Sequence, residues 1–474
     1  MSAPLEKLLR DARIDLVLSR IEKDESVINE VIKHLENDIR SIKFNSIHVL
    51  GELGQKSAHA VSKIISCLED DDWSICREAA RSLGKIGSIA KEAISRLSVL
   101  LGDKEESIRK EAAIALGKIG NSTPESISSL IKALNDESDI VRTEVAKALG
   151  EIGADAYEAI PNLMNSLKDV SWAVRIASAQ SISLIGKESI KTIPSLISAL
   201  EDPDWRVRYR VVNTLAEVGE PAVPALLEVL KQKSSIIRKE ALECLGEMKI
   251  PDPNIIKNIS NLLTSNSEKV RGKAADALRS IGKEAVPALL KALEKASTKM
   301  KIIIISALGG IGTEAKAAIP TIINYLKIPE QGLEYIPSFI NRIKRAFLAI
   351  LKDPLRRKAF IRGELARALG KIGFDSEDSV YALELALNDP KSLVRREAAL
   401  SLGKLGSHAT SGIPSLIRAL EDLNPDVRWR SSEALGKIGV KSEEVISGLN
   451  ELIHDKCDYV CDSAINAIDS LTEE

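Results

Sequence analysis

Five histidines (His34, His48, His59, His408, His454) and five cysteines (Cys67, Cys76, Cys244, Cys457, Cys461) are the residues of this 474-residue chain best suited to metal or nucleophilic chemistry. Their spacing supports little of it. No histidine pair stands at the H-E-x-x-H spacing that sets two imidazoles on one helix face for zinc, and no His-Glu dipeptide occurs. His454, Cys457 and Cys461 are spaced like metal ligands, yet no fourth ligand accompanies them. Glycine pairs recur, but no strand precedes them and no Lys-Ser/Thr follows, so they are not phosphate loops. No nucleophile–base pair can be assembled. The chain therefore reads as non-catalytic, with no metal and no cofactor expected. The chemistry left to it is that of binding, carried by tryptophan, tyrosine and arginine.

The elements that would position those side chains follow from one recurring phrase, Ala-Leu-Gly-Lys-Ile-Gly and its variants. Its third residue recurs at Gly51, Gly84, Gly117, Gly150, Ser183, Ala216, Gly246, Arg279, Gly309, Gly370, Gly403, Gly436 and Asp469. Most intervals are 33 residues, two are 30 and one is 61. Each of about thirteen repeats reads as two helices. The second follows Val-Arg-x-x-Ala-Ala-x-Ala-Leu-Gly, as in Val141 to Gly150, with apolar residues at helical spacing and small alanines that let neighbours approach. The trailing Gly of that phrase is expected to end the helix in a left-handed conformation. The first helix carries a proline near its start (Pro161, Pro194, Pro224, Pro287, Pro320, Pro414), where the missing N–H is not needed. One such hairpin cannot bury its apolar face alone, so neighbours must stack.

An Asp stands fourteen residues before the marker in most repeats (Asp70, Asp103, Asp136, Asp169, Asp202, Asp389, Asp422, Asp455), and an Arg follows the Val (Arg109, Arg142, Arg175, Arg208, Arg238, Arg271, Arg362, Arg395, Arg428). A carboxylate and a guanidinium at fixed offsets predict a ladder tying turn to turn, with the Asp also capping a helix. Cys461 and Cys76 occupy the Arg position of their repeats, which favours a structural over a metal-binding role.

These residues resemble the HEAT-like repeats named after the phycobilisome lyases, from about Asp38 to the end. The resemblance implies an all-α solenoid, a right-handed superhelix with first helices convex and second helices lining the concave side. It says little about function, because fold does not fix activity. The absence of His-Glu sets aside the di-iron hydroxylases that also use HEAT repeats. A bilin lyase or isomerase activity, as in the name-giving family, is an alternative for which no residue can be assigned the chemistry.

Positions eleven, ten, seven, six and three before the marker face away from the alanine stripe and, by the resemblance, into the groove. These sixty-five positions hold eight of the fifteen aromatics: Trp73, Trp172, Trp205, Trp429, Phe44, Tyr209, Phe360 and Tyr459. Repeats five and six combine Trp172, Ile176, Trp205, Arg206, Tyr209 and Arg210 with no acid among those positions; repeat two offers Trp73, Arg77 and Arg81 beside Glu78; repeat twelve offers Trp429 and Arg430 between Asp426 and Glu433. These residues form the expected partner-binding set, with repeats five and six as the main anchor. Trp73, Trp172 and Trp205 share one offset, which fits a staple on the adjacent turn as well as a contact. The face carries about fourteen Lys/Arg and fifteen Asp/Glu, so it is no continuous phosphate track.

Residues 1–35 fit no complete repeat and read as a helical cap; repeats one to nine fill 36–327 and ten to thirteen 359–474. Between them, 328–358 is irregular. Tyr335 to Lys352 reads as an amphipathic helix, with Arg342, Lys344, Arg345, Lys352, Arg356, Arg357, Lys358 and Arg362 against the single acid Asp353. It is either a degenerate repeat with solvated charges or a basic contact element for an acidic protein, RNA or an anionic surface.

Composition agrees with a stack built from Ala, Leu, Ile and Val: 44% hydrophobic, 28% charged, 3% aromatic, net charge −2. Five sparse cysteines point away from a disulfide framework. The N-terminus lacks a signal-like apolar run, and the most apolar stretch, Ile302 to Ile311, is about half a membrane span. The expectation is a cytoplasmic protein-binding scaffold or adaptor on the order of 100 Å long, monomer or homodimer undecided. Nucleic-acid binding through the 342–362 cluster is the main alternative.

Overall fold

The computed structural model describes residues 4–120, 123–186, 190–326 and 359–472. Helices succeed one another throughout, with no strand among the described residues. The chain divides into two compact blocks, Met1–Val229 and Leu230–Glu474. The basic segment 328–358, with Arg342, Lys344, Arg345, Arg356, Arg357 and Lys358, lies outside the described residues.

In the N-terminal block, three short helices (Leu5–Arg10, Ile14–Lys23, Val27–Lys33) precede the first regular repeat. Second helices follow at Arg40–Leu53, Trp73–Ile86, Glu106–Ile119, Asp139–Ile152, Trp172–Ile185 and Trp205–Val218, each packed on the next. The C-terminal block continues with Ser235–Met248, Glu268–Ile281, Thr298–Ile311, Ala359–Ile372, Ser392–Leu405, Pro425–Ile438 and Asp458–Thr472. The first helices are shorter, such as Ile160–Ser166 and Ile413–Ala419, and begin with the expected proline. The core lies between the two rows: Val141, Val145 and Leu149 of a second helix and Leu163 of the following first helix have no accessible surface.

The two glycines of the repeated phrase have separate tasks, which corrects the expectation that the first of them ends the helix. Gly84 and Gly150 lie inside their helices. A Cβ placed on Gly84 would stand 2.9 Å from the backbone Cα of Ala115 in the next second helix. That glycine is the contact itself. The turn is made three residues later, where Gly87 adopts φ 77° and Gly153 φ 76°, the left-handed region that costs other residues energy.

The apolar run Ile302–Ile311 lies within one helix and ends in the same way. Gly312, at φ 75°, ends Thr298–Ile311, a 3₁₀ segment follows, and Ile319–Leu326 begins the next hairpin.

The predicted ladder is present and crosses between repeats. Arg109 grips Asp136 through Nε (2.7 Å) and Nη2 (2.9 Å), while its Nη1 donates to the Asp103 carbonyl at 3.0 Å. Arg142–Asp169, Arg175–Asp202, Arg362–Asp389, Arg395–Asp422 and Arg428–Asp455 repeat the fork at the same 27-residue offset. Each Asp also accepts the backbone N–H two residues on, as Asp136 does from Ser138 at 2.9 Å. In repeat one Lys43 takes the arginine's part against Asp70. Cys76 and Cys461 fill the vacated position by donating Sγ–H to the Leu68 and Asp455 carbonyls. Arg362, counted above with the basic cluster, belongs instead to the ladder, buried with Asp389.

Two outcomes test this architecture. Substituting Gly84→Ala, which in an open helix would add stability, should instead cost about 1–3 kcal/mol because a backbone has to move; a thermal melt at or above the wild-type midpoint would remove the contact assignment. For the ladder, burial raises the Asp169 carboxyl, but the Arg142 fork and the Ser171 N–H outweigh it and leave the pKa lowered. A lowered folded-state pKa means stability present above the unfolded value, about 3.9, and lost as pH falls through the folded value. Arg142→Gln should therefore shift the acid-unfolding midpoint, followed by circular dichroism, to higher pH.

Candidate functional site

The candidate surface is the outer face of the second helices, and its residues are placed by helical register within each block. Position eleven before the marker stands outermost: Trp73, Trp172 and Trp205 are 46%, 43% and 65% exposed. Position six is different from the sequence expectation. Glu78 and Glu397 are almost wholly buried there, as is Ala177, because this position meets the preceding second helix. Its partner is position three of that helix: Glu78 meets His48 Nδ1 at 2.7 Å, Lys273 meets Glu243 at 2.7 Å, and Glu397 meets Arg367 at 3.0 Å. A second ladder of opposite charges thus runs along the face. The groups in these three pairs are held between neighbours and are not free to choose a partner.

In repeats five and six the Arg206 guanidinium lies over the Trp172 ring, 3.5 Å from its centroid, from the next helix. Asp204 holds it there through a bidentate pair, Nε to Oδ1 at 3.0 Å and Nη2 to Oδ2 at 2.6 Å. That pair, with the Arg206 N–H, brings the Asp204 carboxyl down to about 2. The patch is therefore not free of acid, as the five register positions suggested: the helix N-cap, one residue before Trp205, supplies it. Trp205 and Tyr209 stand mostly in solvent, at 65% and 56%, and Ile176 is half-buried between the helices. Arg210 occupies the position that elsewhere joins the second ladder, but the residue thirty earlier is Gln180, not an acid. Its side chain is half-exposed and has no ion pair or hydrogen bond among the described residues.

The other two clusters are more closely tied. Arg77 sits 5.1 Å from the Trp73 ring, and Arg81 reaches the buried Glu78 at 4.0 Å. Trp429 is half-buried under Arg430, 3.6 Å from its ring, and Arg430 is paired with Glu433. The indole also meets Tyr459 of the last repeat edge-on at 5.6 Å, and the Tyr459 hydroxyl reaches Asp426 at 3.2 Å. Trp429 thus packs as a staple between repeats twelve and thirteen.

The HEAT repeats family model matches residues 61–150, 127–192, 193–257, 255–332 and 345–411. The chain belongs to the HEAT-repeat family. No curated protein matches this HEAT protein. Solved structures similar to it include an engineered protein, 18% identical, spanning 94% of this chain and 99% of that one with a TM-score of 0.32. Another is Kap95p from a structure of its binding to RanGDP, 13% identical, spanning 94% and 72% with a TM-score of 0.44. A third is the complex of CpcE and CpcF of phycocyanin lyase from Nostoc sp. PCC7120, 22% identical, spanning 50% and 94% with a TM-score of 0.30. This HEAT protein is an all-α solenoid.

The Trp172–Arg206 stack is checked by fluorescence. In a variant whose other three tryptophans are phenylalanine, Arg206→Ala should red-shift the Trp172 emission and increase its quenching by acrylamide. Unchanged emission and quenching would show that the guanidinium does not cover the ring.

Proposed function

We propose that this HEAT protein is a non-catalytic scaffold or adaptor that holds a partner protein on its row of second helices, with repeats five and six as the main anchor. The observation that carries this reading is the exposed pair Trp205 and Tyr209 beside an unpaired Arg210, next to the fixed Trp172–Arg206 platform. Large rigid aromatics beside arginine are the composition of binding hot spots, since they bury much surface on few rotatable bonds. The platform is also pre-organised: Asp204 orients Arg206 before any partner arrives, which lowers the ordering cost of association. Glycine and alanine at the second-helix contact, against leucine and isoleucine along the first helices, make the second row the more tightly spaced. That difference supports placing it on the inner side of the curve, where one partner can touch several repeats together.

Within this reading Trp205, Tyr209 and Arg210 anchor, Trp172, Arg206 and Ile176 form the floor, and Trp73, Arg77 and Arg81 give a subsidiary contact. Trp429 and Arg430 contribute mainly through repeat packing.

The test is quantitative affinity purification from the native cell with the tagged full chain, followed by direct titration of the recovered partner. Trp205→Ala with Arg210→Ala should lower its affinity about tenfold or more, while Leu423→Ala, on the exposed turn before Pro425–Ile438, leaves it unchanged. Equal affinity in both variants would remove repeats five and six from the interface. Recovery of no protein partner by the wild type would overturn the scaffold reading.

A further inference from the structure

In the C-terminal block the ladder lapses. Repeats seven, eight and nine carry Gln232, Ser265 and Lys295 where eight other repeats carry its Asp. Arg271 of repeat eight nonetheless keeps the ladder posture. Its Nη1 donates to the Ser265 carbonyl at 2.7 Å and the Asn266 carbonyl at 3.2 Å, as Arg142 Nη1 does to the Asp136 and Glu137 carbonyls. In Arg142 the remaining edge, Nε and Nη2, grips an Asp. In Arg271 no carboxylate meets that edge among the described residues. Arg238, which also lacks its Asp, bonds the Ser234 and Lys233 carbonyls at 3.4 Å through Nε and Nη2 instead. Among the described residues, Arg271 is therefore a guanidinium fork held by two backbone carbonyls with no carboxylate on its remaining edge.

The fork lines a cleft of about 1130 Å³ between the first helices Pro253–Asn261 and Val286–Lys295 and the second helices of repeats eight and nine. The cleft carries Lys257, Lys291 and Lys295 besides Arg271, against the single acid Glu284. Ile256, Met300 and Ile304 give it an apolar wall. Pockets for small ligands run to roughly 300–1,000 Å³, so this space suits a run of several residues better than a free dicarboxylate. It belongs to repeats eight and nine of the C-terminal block and does not depend on the anchor in repeats five and six.

We propose that this cleft is a second binding site, one that receives an acidic–apolar peptide segment of a partner protein. An Asp or Glu of the segment takes the bidentate edge of Arg271 in place of the missing ladder Asp. Neighbouring acids face Lys257 and Lys291, and alternate apolar residues lie on Pro253, Pro287, Ala288 and Ala292, the accessible apolar residues of the lining. Arginine suits this role because a planar fork matches a carboxylate, whereas a lysine gives only a point charge.

The probe is a fluorescein-labelled peptide of alternating Asp and Leu, with an Asn–Leu peptide as control, titrated into the full chain and read by anisotropy. The Asp peptide should bind at least about tenfold more tightly than the Asn peptide. Arg271→Lys should lose about tenfold, as should Lys257→Glu with Lys291→Glu. Because Lys257 and Lys291 are exposed, their reversal keeps the test decisive if the Arg271 variant melts. Binding that is absent, that is indifferent to both changes, or that is displaced by millimolar succinate would overturn the proposal. Loss of binding in the Trp205/Arg210 variant, with the cleft variants unaffected, would move the peptide to repeats five and six and equally overturn it.

Discussion

Adjacent second helices approach so closely that no side chain fits between them at the repeated glycine. A Cβ on Gly84, Gly403 or Gly436 would lie 2.9–3.0 Å from the Cα of an alanine in the next helix. Close backbone approach of this kind is open only to the smallest residues, and it fixes much else. It sets the spacing of the row, brings the arginine of one repeat within reach of the aspartate of the next, and leaves the first helices, with larger side chains, to fill the space behind.

The ladder turns that spacing into alignment. Arg109, Arg142, Arg175 and Arg428 each satisfy a carboxylate and two backbone carbonyls together, so the turn between helices cannot rotate without losing several charge-assisted bonds. A buried ion pair contributes less net stability than its bond count suggests, because both ions are desolvated, but it strongly disfavours misaligned neighbours. The His48–Glu78, Glu243–Lys273 and Arg367–Glu397 pairs between second helices add a second constraint on the same register. Where a ladder member lacks its counterpart, a cation is left without its carboxylate among the described residues: Arg210 makes no ion pair, and Arg271 is held by two backbone carbonyls with its recognition edge open. Both proposed sites arise from this one circumstance, on different faces of the hairpin.

The repeat, its two-helix reading, the proline starts and the Arg–Asp pairing were legible along the chain because each recurs at a fixed interval, and recurrence exposes a constraint that one copy would hide. The division of labour between the paired glycines was not legible, since residue type alone does not separate a φ requirement from a packing requirement. The candidate site was half legible. Register located Trp172, Trp205, Tyr209 and Arg210, but missed Asp204, which caps the helix outside the five positions and neutralises Arg206. It also treated position six as free, although helix–helix contact buries it at Glu78 and Glu397.

The sequence by itself determined the period, the helical hairpins and the pairing partners, because these depend on local propensity and on offsets that every repeat shares. Tertiary structure alone decided which side chains remain unsatisfied. Trp429 is covered by Tyr459 while Trp205 is not, and Arg142 finds Asp169 while Arg271 finds no carboxylate among the described residues. Availability is a property of what stacks beside a residue in the neighbouring repeat, and the closeness of that stacking is set by three-dimensional packing.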